Sequence, residues 1–213
     1  MKKMSRAVSV LLVVVMSMMM LVGCAGEKAK FVGNWECNLD MTDMLNQQFA
    51  AEKEIAEYVK AENFSFVVRM DFYQDGTYKM YADEASVEAA FEDIMGDVKK
   101  GLEKYFQDMM ATQGLSMSVD ELLALSGTTM DKLLEESFDK DMVEDMVDEM
   151  EQEGNYEASE GKLYLSDGKD HLVDKNVYQT YEITSDTLTL KEQFGMEDDE
   201  EAKVLYPMVF KKK

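Results

Sequence analysis

One histidine, two cysteines and 44 acidic residues are the chemistry-bearing groups of this 213-residue chain. His171 lies between Asp170 and Leu172, beside an Asp167-Gly168 turn signal. A serine–histidine–acid site would have to use it, but the G-x-S-x-G elbow is missing. The HExxH, P-loop and G-x-G-x-x-G patterns are missing too, so His171 is expected on the surface and catalysis is not expected. Carboxylates crowd two stretches: Asp139, Asp141, Glu144, Asp145, Asp148, Glu149, Glu151 and Glu153, then Glu197–Glu201. Oxygen ligands of this kind suit calcium or magnesium. The EF-hand spacing is not met, however, since the third position of Asp71–Gly76 is Tyr73, on a strand pattern. The acidic stretches therefore read as a solvated helix face and an exposed loop, and no metal or other cofactor is expected. Met142, Met146 and Met150 stand one helical turn apart beside Val143 and Val147, a pattern that suits helix packing better than soft-metal binding.

Charge sets the next boundary. The formal net charge is −22, with 44 acidic and 22 basic residues. Lys2, Lys3 and Arg6 precede an uncharged run from Ala7 to Gly26, and without residues 1–23 the balance is 19 basic against 44 acidic. A binder of nucleic-acid phosphate needs the opposite sign. A hydrophobic content of 46% supports a folded core. The positive start, the apolar Val8–Val22 core and the small residues after it have the plan of a secretory signal. The run ends Leu21-Val22-Gly23-Cys24, which resembles the lipobox of bacterial lipoprotein precursors. That resemblance implies a signal peptide over 1–23, cleavage after Gly23, diacylglycerol on Cys24, and a short lipidated tether over 24–30. A retained membrane helix is the alternative reading of the same run. Either reading places residues 27–213 outside the cytoplasm, with no distinction between inner and outer membrane systems. Cys37 is then the remaining thiol, expected as a small buried hydrophobe on a strand.

The elements that must position these groups follow from periodicity. Strands are expected over Phe31–Leu39, Phe64–Tyr73 and Thr77–Tyr81, the last two joined by the hairpin dipeptide Asp75-Gly76. Apolar spacing from Met44 to Val59 predicts a helix over 42–60. Residues 84–152 read as several helices. Val87, Phe91, Ile94, Val98, Leu102, Tyr105 and Met109 share one face of the first, and Gly114 stops it. Ser118 with Glu121 forms a capping-box pattern, and Thr128 or Thr129 caps the next helix. From Gly154 five more strands are expected: 155–159, 162–166, 177–184, 187–193 and 204–211. Eight antiparallel strands suggest closure into a barrel, with a two-sheet β-sandwich carrying helices as the alternative.

Gly33-Asn34-Trp35 on the first strand resembles the G-x-W signature of lipocalins. Asp75-Gly76-Thr77-Tyr78, Tyr181-Glu182-Ile183 and Leu188-Thr189-Leu190 extend the similarity to bacterial lipoproteins with lipocalin-like barrels. The resemblance covers about half of the chain after Cys24. It implies an eight-stranded antiparallel barrel, and with the helices read above the expected fold is α+β: a lipocalin-like barrel domain over 31–213 with a large helical insertion at 84–152 that an ordinary lipocalin lacks. Gly33 and Trp35 would then be structural, the tryptophan closing one barrel end. Arg69 is the sole arginine after residue 23, so the late arginine that packs on the lipocalin tryptophan has no match.

The functional expectation is a membrane-anchored, extracytoplasmic binding module. Phe64, Phe66, Val68, Met70 and Phe72 alternate on one strand face and are the candidate lining of a site for a small apolar ligand. The alternative is a structural or interaction lipoprotein whose helical insertion binds another envelope protein. The expected contacts are thus the membrane, through lipid on Cys24, and either a small apolar ligand or a protein.

Overall fold

In a computed structural model of the chain, residues 26–138, 140–195 and 205–213 are described. The signal region, Cys24, Asp139 and the Glu197–Glu201 stretch lie outside the described residues. Eight strands pair in chain order, and the last returns to the first, closing an antiparallel barrel. They are β1 (Gly33–Asp40), β2 (Ser65–Phe72), β3 (Thr77–Ala82), β4 (Gln152–Ser159), β5 (Lys162–Leu165), β6 (Tyr178–Ile183), β7 (Thr187–Phe194) and β8 (Met208–Lys212). Closure rests on Trp35 opposite Lys212 and Glu36 opposite Lys211. The up-and-down barrel is thus established and the sandwich alternative falls. Between β3 and β4 come four helices, α2 (Glu84–Thr112), α3 (Val119–Leu125), α4 (Met130–Ser137) and α5 (Lys140–Met150), after an earlier α1 (Thr42–Ala51).

The chain forms two compact units. One comprises the residues up to Glu36, Met70–Lys79 and Gln152–Lys213; the other comprises Cys37–Arg69 and Met80–Glu151. The first, strand-rich unit has an aromatic core. Residues 26–31 are helical rather than a bare tether or the start of a strand, and Phe31 at their end is fully buried. Its ring lies 5.1 Å from Phe72, 6.1 Å from Tyr156 and 4.8 Å from Tyr181. An apolar residue that plugs ring contacts on three sides gains more by leaving the strand than by extending it. The Phe31 carbonyl accepts the Trp35 indole N–H at 2.6 Å, so the buried indole has its one donor satisfied.

The second, helical unit is built from local signals. The Ser118 hydroxyl accepts the Glu121 amide while Glu121 reaches back to the Ser118 amide, a complete capping box. Asp83 caps α2 through the Ser86 amide, and Thr129 caps α4 through the Lys132 amide. The helix expected over 42–60 stops at Ala51. The reason is Asn46, whose side chain donates to the Ala61 carbonyl at 3.0 Å and accepts its amide at 2.8 Å. A continuous helix would put those residues roughly 22 Å apart, so the chain must fold back. It then buries Val59 and Ala61. An ideal Cβ on Gly101 would sit 2.6 Å from the Tyr58 carbonyl oxygen, so this mid-helix glycine permits the close approach.

Candidate functional site

All five residues of the expected lining on β2 and just before it are buried, Phe64 at 7% exposure and the others at 2% or less. Three of them, Phe64, Phe66 and Phe72, meet other rings of the protein. Phe72 packs against Phe31, Tyr78 and Tyr156, the last at 4.8 Å. Phe64 meets Phe66 at 5.8 Å and, edge-on, Phe91 of α2 at 5.6 Å. Val68 and Met70 share the buried face of the same strand. Polar tips in this core are tied to main chain: the Tyr78 hydroxyl donates to the Ser166 carbonyl, and the Tyr156 hydroxyl to those of Tyr73 and Lys28. Burial pushes the hydroxyls of Tyr156 and Tyr181 up to about 12.

Gly33 and Trp35 sit at the β1–β8 closure. A cation does pack on the tryptophan, but it is Lys212 of β8, with Nζ 5.0 Å from the ring centroid. No arginine signature could have found it; only the closing register brings the last strand over the first. Beside it, buried Asp71 accepts the Asn34 amide at 2.7 Å. Cys37 is buried on β1, as expected.

A groove of about 400 Å³ lies within the helical unit, between the first three turns of α2 and a stretch that includes Phe138, Val143 and Glu144. Four half-buried apolar side chains, Phe91, Met95, Phe138 and Val143, form its floor. Four exposed carboxylates, Glu84, Glu88, Glu92 and Glu144, stand around it. The α2 members follow from helical geometry: 84, 88 and 92 repeat every four residues, and 91 and 95 run alongside. Glu84 opens the helix, where negative charge is favourable. Glu88 has a like charge one turn away on either side, and each such pair costs about 0.2–0.5 kcal/mol. Further along α2 three charged residues, Asp97, Lys99 and Lys100, are matched. Lys99 pairs with Asp131 at 2.7 Å, and Asp97 meets Lys100 and the Glu62 amide. None of the four groove carboxylates has an ion-pair partner among the described residues. The groove was not foreseen from the sequence. The acidic four-residue repeat was a signal in view, but the apolar residues opposite it, Phe138 and Val143, lie some fifty residues later in the chain.

The remaining candidates resolve simply. His171 is exposed and lies 2.6 Å from Asp167. The hydrogen bond and charge of Asp167 raise the imidazole above its ordinary value, and the same bond lowers the Asp167 carboxyl. Among the described residues no three His, Cys, Asp or Glu side chains gather as a metal site. Met142 is exposed, while Met146 and Met150 are half-buried, so that stripe packs less deeply than helix packing implied. No described helix is long and apolar enough to cross a membrane. No protein-family model, curated protein or solved structure matches the chain.

Proposed function

We propose that this chain is a lipid-anchored, extracytoplasmic binding module whose ligand occupies the groove of the helical insertion. The groove is the observation that carries the reading. Its volume falls in the range of small-molecule sites, and it combines an apolar floor with a few polar groups. The residues first expected to line a site, Phe64 to Phe72, are better read as the packed scaffold, because rings of the protein already contact Phe64, Phe66 and Phe72, and Val68 and Met70 are buried beside them on the same strand. The anchor reading rests on Leu21-Val22-Gly23-Cys24 and on the uncharged run before it. Two or three acyl chains hold a protein stably at a membrane, at about 0.8 kcal/mol per buried methylene.

The test has two arms. Cys24→Ser should abolish incorporation of labelled fatty acid and accumulate precursor; normal labelling would refute the anchor. Native mass spectrometry of the lipoprotein from its own host should show a copurifying small molecule that is lost in Phe91→Ala. Recovery without any such molecule, together with no uptake of small-molecule probes, would refute the binding role.

The envelope-protein reading keeps one specific observation. Leu115, Leu125 and Met142 of the helical insertion are exposed large hydrophobics, Leu125 at 77%. In vivo crosslinking with Leu125→Lys decides it: a partner retained in wild type and lost in the variant supports a protein interface there.

A further inference from the structure

From the unmatched carboxylates over an apolar floor, we infer that the groove selects a small organic cation with an apolar body, an amine or quaternary ammonium bearing an aromatic or branched alkyl group. The inference rests on the groove being the binding site and specifies what it takes. Four apolar side chains offer contact area to the body of such a ligand. Glu88, Glu92 and Glu144 offer charge to its head. Glu84 has the helix start to account for it, but Glu88 and Glu92 repel each other one turn apart, with no ion-pair partner among the described residues. A bound cation relieves that repulsion. A neutral ligand of the same shape would fill the floor and strip water from the carboxylates without replacing it.

An anion is opposed twice, by the rim and by its surroundings. Residues 84–152 contain 19 acidic against 5 basic residues, a net −14, so the local potential draws cations and turns anions away. A bare divalent metal does not fit the same residues, because among those described no three carboxylates converge on one point. Charge alone is also insufficient. The unpaired acids surround the side chains of Phe91, Met95, Phe138 and Val143, so a ligand without an apolar part would forgo the floor. Cationic head and apolar body are therefore required together.

The experiment uses the intact lipoprotein in neutral-lipid nanodiscs and isothermal titration with four probes. These are a phenylalkyl trimethylammonium, its uncharged carbon isostere, the corresponding sulfonate, and a linear polyamine lacking an apolar body. The ammonium should bind at least tenfold tighter than the isostere, and the sulfonate and polyamine more weakly still. Glu88→Gln/Glu92→Gln should remove that tenfold preference while leaving the isostere unchanged, and Phe91→Ala should weaken both. Unchanged helicity and melting temperature would show that the variants fold. Equal binding of ammonium and isostere in the wild type would overturn the cation assignment while leaving the groove a binding site. Polyamine binding as tight as the ammonium would overturn the apolar requirement. No heat from any probe would overturn the groove itself and the proposed binding function with it.

Discussion

The strand-rich unit ties together residues far apart in the chain. Tyr78 reaches Ser166, Tyr156 reaches Lys28, and Phe31 meets Tyr181. The helical unit adds local caps, Ser118 with Glu121 and Thr129 with Lys132, to its own distant ties, Asn46 with Ala61, Glu62 with Asp97 and Lys99 with Asp131. Charge divides along the same line. Cys37–Arg69 and Met80–Glu151 hold 26 acidic and 8 basic residues, against 18 and 11 for the rest of the chain from Cys24 onward. Contacts of long sequence separation form and break together, so they favour one rigid arrangement. Local caps let a helix end open alone, and binding surfaces are commonly drawn from such lower-stability regions. The difference predicts that helix ends closed by local caps open more readily than the aromatic core of the strand-rich unit.

The strongest challenge to this contrast is Phe31→Ala. It empties a site ringed by Phe72, Tyr156 and Tyr181 and should cost about 3–5 kcal/mol in chemical denaturation, with loss of near-ultraviolet signal. A cost below that of Leu134→Ala in the helical unit would break the comparison. A matched pair of glycines comes next. A methyl group on Gly154 would overlap the Ser166 carbonyl oxygen, and one on Gly101 would press on the Tyr58 carbonyl and Val59. Each alanine variant should lose about 1–3 kcal/mol. Hydrogen exchange should show the Gly154 loss spread over the strand-rich unit and the Gly101 loss confined to the 52–61 turn and α2. Ser118→Ala should cost about 1 kcal/mol and loosen α3 alone, read as faster amide exchange over 119–125.

The smallest effect belongs to the exposed His171–Asp167 pair. The raised imidazole contributes stability below its ordinary value near 6.5 and loses it as pH climbs past the raised one. The lowered Asp167 contributes above 3.8 and loses it as pH falls through the lowered value. Asp167→Asn should return the His171 titration, followed by NMR, toward its ordinary midpoint with no resolvable change in melting temperature. A clear change in melting temperature would show that this loop matters more to the strand-rich unit than an exposed pair should.

Much of the fold was legible because its signals are local. Period-two alternation from Phe64 to Phe72, the Asp75-Gly76 turn and the Ser118–Glu121 box each lie within ten residues. What escaped depends on contacts that the chain makes with itself at long range. Phe31 reads as the first residue of a strand until its three ring partners are known. The fold-back at Ala51 depends on Asn46 finding Ala61. Lys212 becomes the cation on Trp35 only when β8 closes on β1. The groove was half legible: the α2 repeat of Glu84, Glu88 and Glu92 could be read, but not which apolar residues would stand opposite.

The seated segment 26–31 has a further consequence for where the chain could be clipped by a protease. A protease must draw its substrate into an extended strand, and clipping is governed by the burial and hydrogen bonding of the backbone concerned. Here the Lys28 carbonyl is held by Tyr156 and the Phe31 carbonyl by Trp35, with the Phe31 side chain fully enclosed. Cleavage within this stretch would first require pulling Phe31 out of its ring of aromatics. Cleavage of the chain between residues 27 and 31 is therefore resisted by the same aromatic packing that seats Phe31.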